Sequence, residues 1–238
     1  MNTLEIAAIG LRQDLDRLKL TSQNVANLST PGYKRQVAVQ AVQRAFTDSL
    51  ALASDLAVST DTRAGKISAT GQPFDVALPD GRYLLLELAD GGQAITRQGS
   101  LQFDARGDLR TATGHQVMGT RGPVSLRSDQ RSGVEIDAQG QFKLQGQVLE
   151  ALQLVNVQAG QALRPLGDGL YAADASQWDA QTPTTGVRAG HLEQSNVVPS
   201  QEMLNLMATT RHAETMVRLF QAADDMQAAA IRRLGESN

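Results

Sequence analysis

Two long amphipathic runs, one at each end of the chain, constrain the fold more than any other feature of the sequence. In the first run, apolar or small residues recur at spacings of four and three, at Leu4, Ala8, Leu11, Leu15, Leu18, Ser22 and Val25. This spacing is typical of a helix that packs through one narrow face, as in a coiled coil. It predicts a helix over residues 3–28, which Pro31 and Gly32 end.

The second run predicts a helix over residues 200–234, which Gly235 ends. Two adjacent heptad rows run along it, and further apolar residues widen the surface well beyond one stripe. The rows are Leu206, Ala213, Phe220 and Met216, Ala223, Ala230, and the flanking residues are Met203, Met207, Val217, Leu219, Met226 and Ile231. Because one partner helix cannot cover so wide an apolar surface, we expect neighbouring subunits to cover the rest.

Between the two runs, the sequence predicts a meander of antiparallel hairpins. From about residue 67 to residue 187, short runs of β-branched and aromatic residues alternate with polar residues, and glycines lie between the runs. Two segments, residues 104–110 and 137–143, repeat the pattern Asp-Ala-x-Gly-x-apolar-cation. In each we expect a hairpin turn whose glycine has a positive φ.

The predicted fold class is therefore α+β: long N- and C-terminal helices paired as a coiled-coil-like layer, with an inserted antiparallel all-β domain. The predicted divisions are an N-terminal helix and Thr-Pro-Gly hinge at 1–35, a connector at 36–66, the β domain at 67–187, a return connector at 188–199 and the C-terminal helix at 200–238. An ordinary antiparallel helix pair that caps a globular β domain is the alternative. The length and terminal position of both helices favour the first interpretation.

Composition and charge argue against several classes of function. The 238 residues carry a net charge of −3 and no basic tract, which argues against a nucleic-acid partner. The chain has no cysteine, and no stretch of roughly 20 apolar residues that could cross a membrane. The first residues carry Glu5 and no early cation, so they do not fit a secretory signal. We expect no membrane insertion, and we expect any export to use another route.

No pattern in the sequence predicts catalysis. Residues 167–172, GDGLYA, fit a loose dinucleotide pattern, but a strand-like segment follows where a helix N-terminus is needed, so a tight turn is the better interpretation. The three histidines lack the spacing of metal ligands. Nothing favours a glycosidase-type carboxylate pair such as Asp75 with Asp104. We therefore expect no catalytic residue, no cofactor, no metal ion and no enzyme activity.

One stretch is specified more closely than a plain helix stop requires. Residues 24–35, NVANLSTPGYKR, combine two asparagines, a Thr-Pro-Gly turn, a tyrosine and two adjacent cations. We expect Asn24 and Asn27 to bond carbonyls of the last helical turn. Gly32 should take a positive φ as the second corner of a type II turn. We expect the angle of this turn to matter more than any contact, so that asparagine would partly replace Gly32.

This stretch closely resembles the N-terminal signature of the bacterial flagellar rod and hook proteins, in which a helix ends in Asn-x-Ala-Asn-x-x-Thr-Pro-Gly-Tyr. The matching positions are Asn24, Ala26, Asn27, Thr30, Pro31, Gly32 and Tyr33. The segment GHLEQSNVVPSQEM resembles the C-terminal signature of the same family. Its matching positions are Leu192, Glu193, Ser195, Asn196, Val197, Glu202 and Met203. GQPFDVAL, ITRQGSLQFDARGDL and TGHQVMG resemble the β domain of the rod members.

The resemblance implies a structural subunit of the flagellar basal-body rod. Residues 81–88, GRYLLLEL, stand where the distal rod type has Gly-Phe-Phe, which favours the proximal type, with the distal type as the alternative. The implied partners are copies of the chain, other rod subunits and the flagellar type III export apparatus. The implied location is the basal body in the periplasmic space, where subunits assemble into a helical tube.

The resemblance also assigns roles to the terminal residues. The N-terminal signature would act as an assembly hinge, and Lys34 and Arg35 would pair with acids of a neighbouring subunit. The helix-packing residues would be Leu4, Leu11, Leu18, Val25, Leu206, Ala213, Met216 and Phe220. The rival hypotheses are a monomeric exported enzyme that acts on the cell wall and an adaptor that holds one partner with its helices.

Overall fold

The computed structural model describes residues 3–39, 57–157, 163–172, 178–180 and 185–236. It confirms the α+β class, because two long helices flank a set of antiparallel sheets. Residues 40–56 of the predicted connector lie outside the described residues. The elements are α1 Thr3–Ala26, β1 Gln36–Val39, β2 Ala57–Thr60, β3 Ile67–Ala69, β4 Val76–Ala77, β5 Arg82–Glu87, β6 Gln93–Thr96, β7 Leu101–Phe103, β8 Leu109–Thr111, β9 Gln116–Gly119, β10 Gly122–Pro123, α2 Ser128–Arg131, β11 Val134–Ile136, β12 Gln141–Leu144, β13 Gln147–Ala151, β14 Leu154–Val157, β15 Pro165–Gly167, β16 Leu170–Ala172, β17 Trp178–Ala180, β18 Arg188–Ala189, β19 His191–Glu193 and α3 Pro199–Glu236.

The chain divides into two compact units. Unit 1 comprises residues 1–26, 36–59 and 198–238, and unit 2 comprises residues 27–35 and 60–197. In unit 1, α1 packs against α3, and β1 pairs with β2 in a two-stranded sheet. None of the helices that the structure describes is long and apolar enough to cross a membrane.

Unit 2 is built around a ten-stranded sheet. Its path is β15-β16-β6-β5-β9-β8-β7, with β10 on β9, β14 on β5 and β17 on β14, and a separate three-stranded sheet is formed by β11-β12-β13. Strand β5 is covered on both faces, because Leu84 and Leu86 lie in one apolar cluster while Tyr83 and Leu85 lie in another. This double burial explains why β5 is a nearly continuous apolar run rather than an alternating one.

Two short strands lie in the segment that the sequence assigned to a return connector. Strand β18 pairs with β4, and β19 pairs with β3. Strands of two and three residues are too short to show a periodicity, so the sequence pattern did not predict them. Their pairing places residues 188–193 beside the first strands of the β domain.

The two repeated turns have the predicted conformation. The φ angle is +102° at Gly107 and +76° at Gly140, so both expectations are confirmed. In each turn, the aspartate that begins the repeat accepts backbone N–H groups through its Oδ1: Asp104 from residues 106–108, and Asp137 from Gln139 and Gln141. These aspartates therefore hold turns together, a role that aspartate fills well.

Candidate functional site

The Thr-Pro-Gly segment after α1 forms a type II turn. The N–H of Tyr33 donates to the carbonyl of Thr30 at 3.2 Å, Pro31 occupies the first corner, and Gly32 occupies the second with φ +70°. Proline fixes the φ of the first corner, and the second corner needs the positive φ that glycine adopts readily. The predicted conformation of Gly32 is therefore confirmed.

Gly32 also lies against a second segment of backbone. A Cβ atom at this position would lie 2.3 Å from the carbonyl oxygen of Arg97 and 2.7 Å from the nitrogen of Gln98. The N–H of Gly32 donates to the carbonyl of Glu193 at 2.7 Å, which holds the turn in place. This close contact argues against the expectation that the turn angle alone matters and that asparagine could partly replace Gly32, because even the Cβ of an asparagine has no room here.

The carboxylate of Glu193 is the centre of a buried group of charges. Its Oε1 accepts hydrogen bonds from Lys34 Nζ at 2.6 Å and from the N–H of Gly65 at 2.8 Å. Its Oε2 accepts from Arg97 Nε at 2.8 Å and is also paired with Nη2 of the same guanidinium. The three charged side chains are at most 4% exposed. We call Lys34, Arg97 and Glu193 the ionic junction.

The two cations of the ionic junction place their remaining donors on backbone carbonyls. Lys34 Nζ donates to the carbonyl of Arg63 at 2.7 Å. Arg97 donates through Nη1 and Nη2 to three carbonyls within residues 78–82, at 2.6 to 3.2 Å. These bonds matter because a buried charge that lacks partners is strongly destabilising. The ionic junction thus joins five separate segments of unit 2, at residues 34, 63–65, 78–82, 97 and 193.

Asn196 adds a second set of contacts between the same segments. Its Oδ1 accepts the N–H of Arg35 at 2.7 Å, and its Nδ2 donates to the carbonyls of Asp61 and Arg63 at 2.9 and 3.0 Å. Its own N–H donates to the carbonyl of Tyr33 at 3.3 Å. An asparagine can make all these bonds because its amide both donates and accepts. The N- and C-terminal signatures, far apart in sequence, therefore bind each other in unit 2.

The charged groups of the ionic junction shift one another's pKa values. Burial alone raises the pKa of Glu193, but Arg97, Lys34 and the N–H of Gly65 stabilise the carboxylate more, so its pKa lies below the ordinary value of 4.5. Burial lowers the pKa of Lys34, and the bond to Glu193 offsets this effect only in part. With two cations and one anion in a dry site, the ammonium is the less well stabilised charge, and the carboxylate is the better stabilised one.

We expect unit 2 to lose stability in acid. The pKa of Glu193 is lower in the folded state than in the unfolded chain, so its ionised form stabilises the fold above about pH 4.5, and this contribution is lost as the pH falls through the folded pKa. Asp104, whose pKa is lowered to about 2 by its bond to Arg110, acts in the same sense. Urea unfolding between about pH 3 and pH 7, followed by the fluorescence of Trp178, measures the free energy of unfolding.

A variant removes the contribution of Asp104. In Asp104→Asn, a smaller dependence on pH should remain, because Glu193, Asp61 and Asp137, whose pKa values are also lowered, still titrate. A variant that loses all dependence on acid would show that Glu193 makes no such contribution.

Three other residues of the N-terminal signature lie at or near the end of α1. The amide of Asn24, expected to bond carbonyls of its own helix, exchanges two hydrogen bonds with the backbone of Gln36 in β1, at 2.8 and 2.9 Å. Asn27 Oδ1 accepts the hydroxyl of Thr30 at 3.1 Å, which supports the turn from within. Ala26 is the last residue of α1 and is exposed.

The roles of both cations in the ionic junction differ from what the sequence predicted. Lys34 is 1% exposed and pairs with Glu193 of its own chain, so the prediction that it pairs with a neighbouring subunit is wrong. Arg97 was not predicted as a functional residue. It is the only charged residue between positions 92 and 103, and a lone cation after an apolar strand is the signal that could have indicated a buried partner.

The C-terminal signature divides between the two units. Its members in unit 2 are Leu192, Glu193, Ser195, Asn196 and Val197. Leu192 and Val197 are buried. Glu202 and Met203 belong to unit 1, where Glu202 is buried against Asn24 and Met203 is 64% exposed.

The predicted helix-packing residues differ in exposure within the chain. Leu11, Leu18, Ala213 and Met216 are half-buried, whereas Val25, Leu206 and Phe220 are exposed. The side chain of Leu4 is not among those described. The buried face of α1 is displaced from the predicted stripe, because Ala7, Asp14 and Thr21 are buried while Ala8, Leu15 and Ser22 are exposed.

Two of the histidines and the glycine-rich segment that were considered for metal or cofactor binding have structural roles. Within the described residues, no group of three or more histidines, aspartates and glutamates is placed to hold a metal ion. The ring of His191 bonds the carbonyl of Ala189, and that of His212 bonds Asp14. Within residues 167–172, Asp168 and Gly169 form the predicted tight turn, between Gly167 of β15 and Leu170 of β16.

Comparison with protein families locates similarity at both ends of the chain. The model described as "Flagella basal body rod protein" matches residues 4–34, and the model described as "Flagellar basal body rod FlgEFG protein C-terminal" matches residues 188–233. The first region includes Lys34, and the second includes Glu193 and Asn196. The matched regions are therefore those that meet around the ionic junction.

Similar proteins align over nearly the whole chain. Flagellar basal-body rod protein FlgF of Salmonella typhimurium is 29% identical over 94% of this chain and 95% of its own length. FlgF of Escherichia coli has the same identity and coverage. Flagellar basal-body rod protein FlgG of Buchnera aphidicola is also 29% identical, over 94% of this chain and 96% of its own length. The family models at both ends and these nearly full-length alignments together support the flagellar basal-body rod protein family.

Proposed function

We propose that this chain is a structural subunit of the flagellar basal-body rod, of the proximal type, and that α1 and α3 provide the surface through which subunits pack. The role in the rod, and the location in the basal body within the periplasm, follow from the relatives that cover nearly the whole chain. The observation that carries the packing role is the exposure of large apolar side chains on α3. Met203, Leu204 and Met226 are each between 61% and 66% exposed. An apolar patch of this kind marks an interaction site.

The exposed apolar surface extends along both helices of unit 1. On α3 it also includes Leu206, Met207, Val217, Leu219 and Phe220, and on α1 it includes Leu15 and Val25. Copies of the chain and other rod subunits would cover these side chains, with the helices paired as a coiled-coil-like layer. In this proposal the helices within residues 1–35 and 200–238 form that layer, residues 27–35 act as the hinge, and residues 67–187 form the β domain. The subunit would reach the periplasm through the flagellar type III export apparatus.

The choice of the proximal type rests on residues 81–88. The FlgF and FlgG relatives are equally similar, so overall identity favours neither type. The chain has Tyr-Leu-Leu-Leu in this segment, where the distal type has Gly-Phe-Phe, and in unit 2 these residues fill both faces of β5. Site-specific cross-linking in assembled basal bodies would identify the neighbouring subunits and so test the assignment.

We infer that the subunit has no enzymatic activity. Asp104, one of the two carboxylates considered for a glycosidase-type pair, is engaged by its own turn and by Arg110 Nε at 2.8 Å. A carboxylate whose charged form is stabilised in this way is a poor proton donor or acceptor near neutral pH.

Replacing Phe220 with aspartate should abolish incorporation into the rod while unit 2 stays folded. Phe220 is 46% exposed in the single chain. A carboxylate at a position covered by a neighbour would be desolvated without a partner, which destabilises each contact by several kcal/mol, as an order of magnitude. Swimming of a deletion strain that carries the variant measures incorporation, and the fluorescence of Trp178 measures folding of unit 2.

The matched control is Gln221→Asp, which adds the same charge at the next position, also exposed. Normal swimming with Phe220→Asp would contradict the proposed packing surface. Equal loss in both variants would show that any added charge on α3 blocks assembly, and the assignment to this face would fail.

A further inference from the structure

The buried face of α1 carries several polar side chains, and the predicted leucine stripe is displaced from the centre of this face. The buried residues of this face include Asp14 and Asn24, each 1% exposed, and Thr21, which is 7% exposed. Their counterparts on α3 include Glu202, also 1% exposed. Hydrophobic packing alone gives no reason to bury two carboxylates and an amide between helices.

Three pairs of residues define a single antiparallel register. The pairs are Asn24 with Glu202, Asp14 with His212, and Gly10 with Met216. The first pair is bonded from Nδ2 to Oε2 at 3.4 Å, and the second is bonded from Nδ1 to Oδ2 at 2.6 Å. In the third, a Cβ on the glycine would lie 3.3 Å from the methionine sulfur.

The spacing of these pairs matches along the two helices. From the first pair to the second, ten residues backward on α1 correspond to ten residues forward on α3, and from the second to the third, four correspond to four. The pairs therefore keep one register over roughly 21 Å of helix. At Gly10, the absence of a side chain leaves room for Met216.

We infer that Asp14, Asn24, Glu202 and His212, which we call the polar seam, make α1 pair with α3 of the same chain in this one register. Apolar side chains accept many registers and many partners. In any shifted register, the buried carboxylates would lose the partners that they have here, and a buried carboxylate without a partner is strongly unfavourable. Within one chain, the two helices meet in this register at a high effective concentration. A polar residue in a helix interface selects register and partner in this way in coiled coils. The polar seam would thus leave the apolar faces of both helices free for other subunits, a consequence that rests on the proposed function.

Disulfide trapping tests the inference, because the chain has no native cysteine. In the full chain, Gly10→Cys with Met216→Cys gives one in-register intrachain disulfide, which is distinguished from interchain dimers by electrophoresis after mild oxidation. With the polar seam intact, the intrachain product should dominate. Adding Asp14→Leu and His212→Leu should lower the ratio of intrachain to interchain product about tenfold, because the leucines pack in any register. The helix content measured by circular dichroism should be unchanged.

Two further variants complete the test. Exchange of the pair, Asp14→His with His212→Asp, should restore the ratio, and Glu214→Leu, at an exposed position of α3, should not alter it. An unchanged ratio in the leucine double variant would overturn the inference. A fall in the ratio that accompanies a loss of helix content would also overturn it, since the polar seam would then stabilise the helices rather than select their partner. Rod assembly is not measured in this experiment, so its result is independent of the outcome for Phe220→Asp.

Discussion

Replacing Glu193 with glutamine is expected to lower the free energy of unfolding of unit 2 by about 3–5 kcal/mol. The substitution keeps the size of the side chain and one acceptor, but it removes the anion of the ionic junction. Lys34 and Arg97, at most 4% exposed, then share a dry site without their counter-ion. Urea unfolding followed by the fluorescence of Trp178, the single tryptophan, which lies in β17 of unit 2, measures the change.

The control for this prediction is Glu150→Gln. Glu150 pairs with Arg121 at 3.2 Å, but the arginine is 68% exposed, so water screens the pair and the loss should stay below about 1 kcal/mol. Adding Lys34→Met to Glu193→Gln should recover part of the lost stability, because it removes one of the two uncompensated cations. If Glu193→Gln proves no more harmful than Glu150→Gln, the ionic junction does not hold unit 2 together.

Substituting alanine for Gly32 should destabilise unit 2 to a similar degree, and asparagine should do no better. The left-handed φ of +70° disfavours any residue with a Cβ by about 1–2 kcal/mol. The new Cβ would also lie 2.3 Å from the carbonyl oxygen of Arg97. The side chain of Arg97 is held in the ionic junction, so its carbonyl oxygen cannot move away freely. Removing the clash therefore requires a shift of the backbone, and we expect this overpacking to add about 1–3 kcal/mol to the loss of stability. Urea unfolding measures the sum.

Gly71 is a matched control for the contact. Its φ is +71°, and a Cβ there would have no atom within 4 Å. Gly71→Ala therefore introduces the same backbone strain without the clash, and the difference between the two alanine variants isolates the contact with Arg97. Equal losses at the two positions would show that this contact contributes nothing. A milder effect of Gly32→Asn than of Gly32→Ala would show that φ, which asparagine tolerates, governs this position.

Local features of the structure could be predicted from the sequence. The heptad spacing of apolar residues predicted α1 and most of α3, and Pro31 with Gly32 predicted the end of α1 and the positive φ of the turn. The repeated Asp-Ala-x-Gly pattern predicted two glycine turns, both observed. Each of these features depends on residues within a few positions of one another, where propensity and steric limits act directly.

The contacts of the candidate site could not be predicted in the same way. The bond between Lys34 and Glu193 joins residues 159 positions apart, and the strands that bring the two together have only two or three residues each. From the sequence, Lys34 is an exposed cation beside Arg35. Only the fold shows that it is buried, because burial depends on which distant segments cover a side chain.

The sequence by itself determined that two long helices flank a β domain, and that a sharp turn follows the first helix, since periodicity and turn chemistry are properties of neighbouring residues. The tertiary structure alone decided which face of α1 meets α3, and that face carries Asp14 rather than the leucine stripe. It also decided that Gly32 is required by the backbone of Arg97 as well as by its own φ. The physical reason is the same in both cases: the free energy of a buried charge or of a close backbone contact depends on partners that only the folded chain brings together.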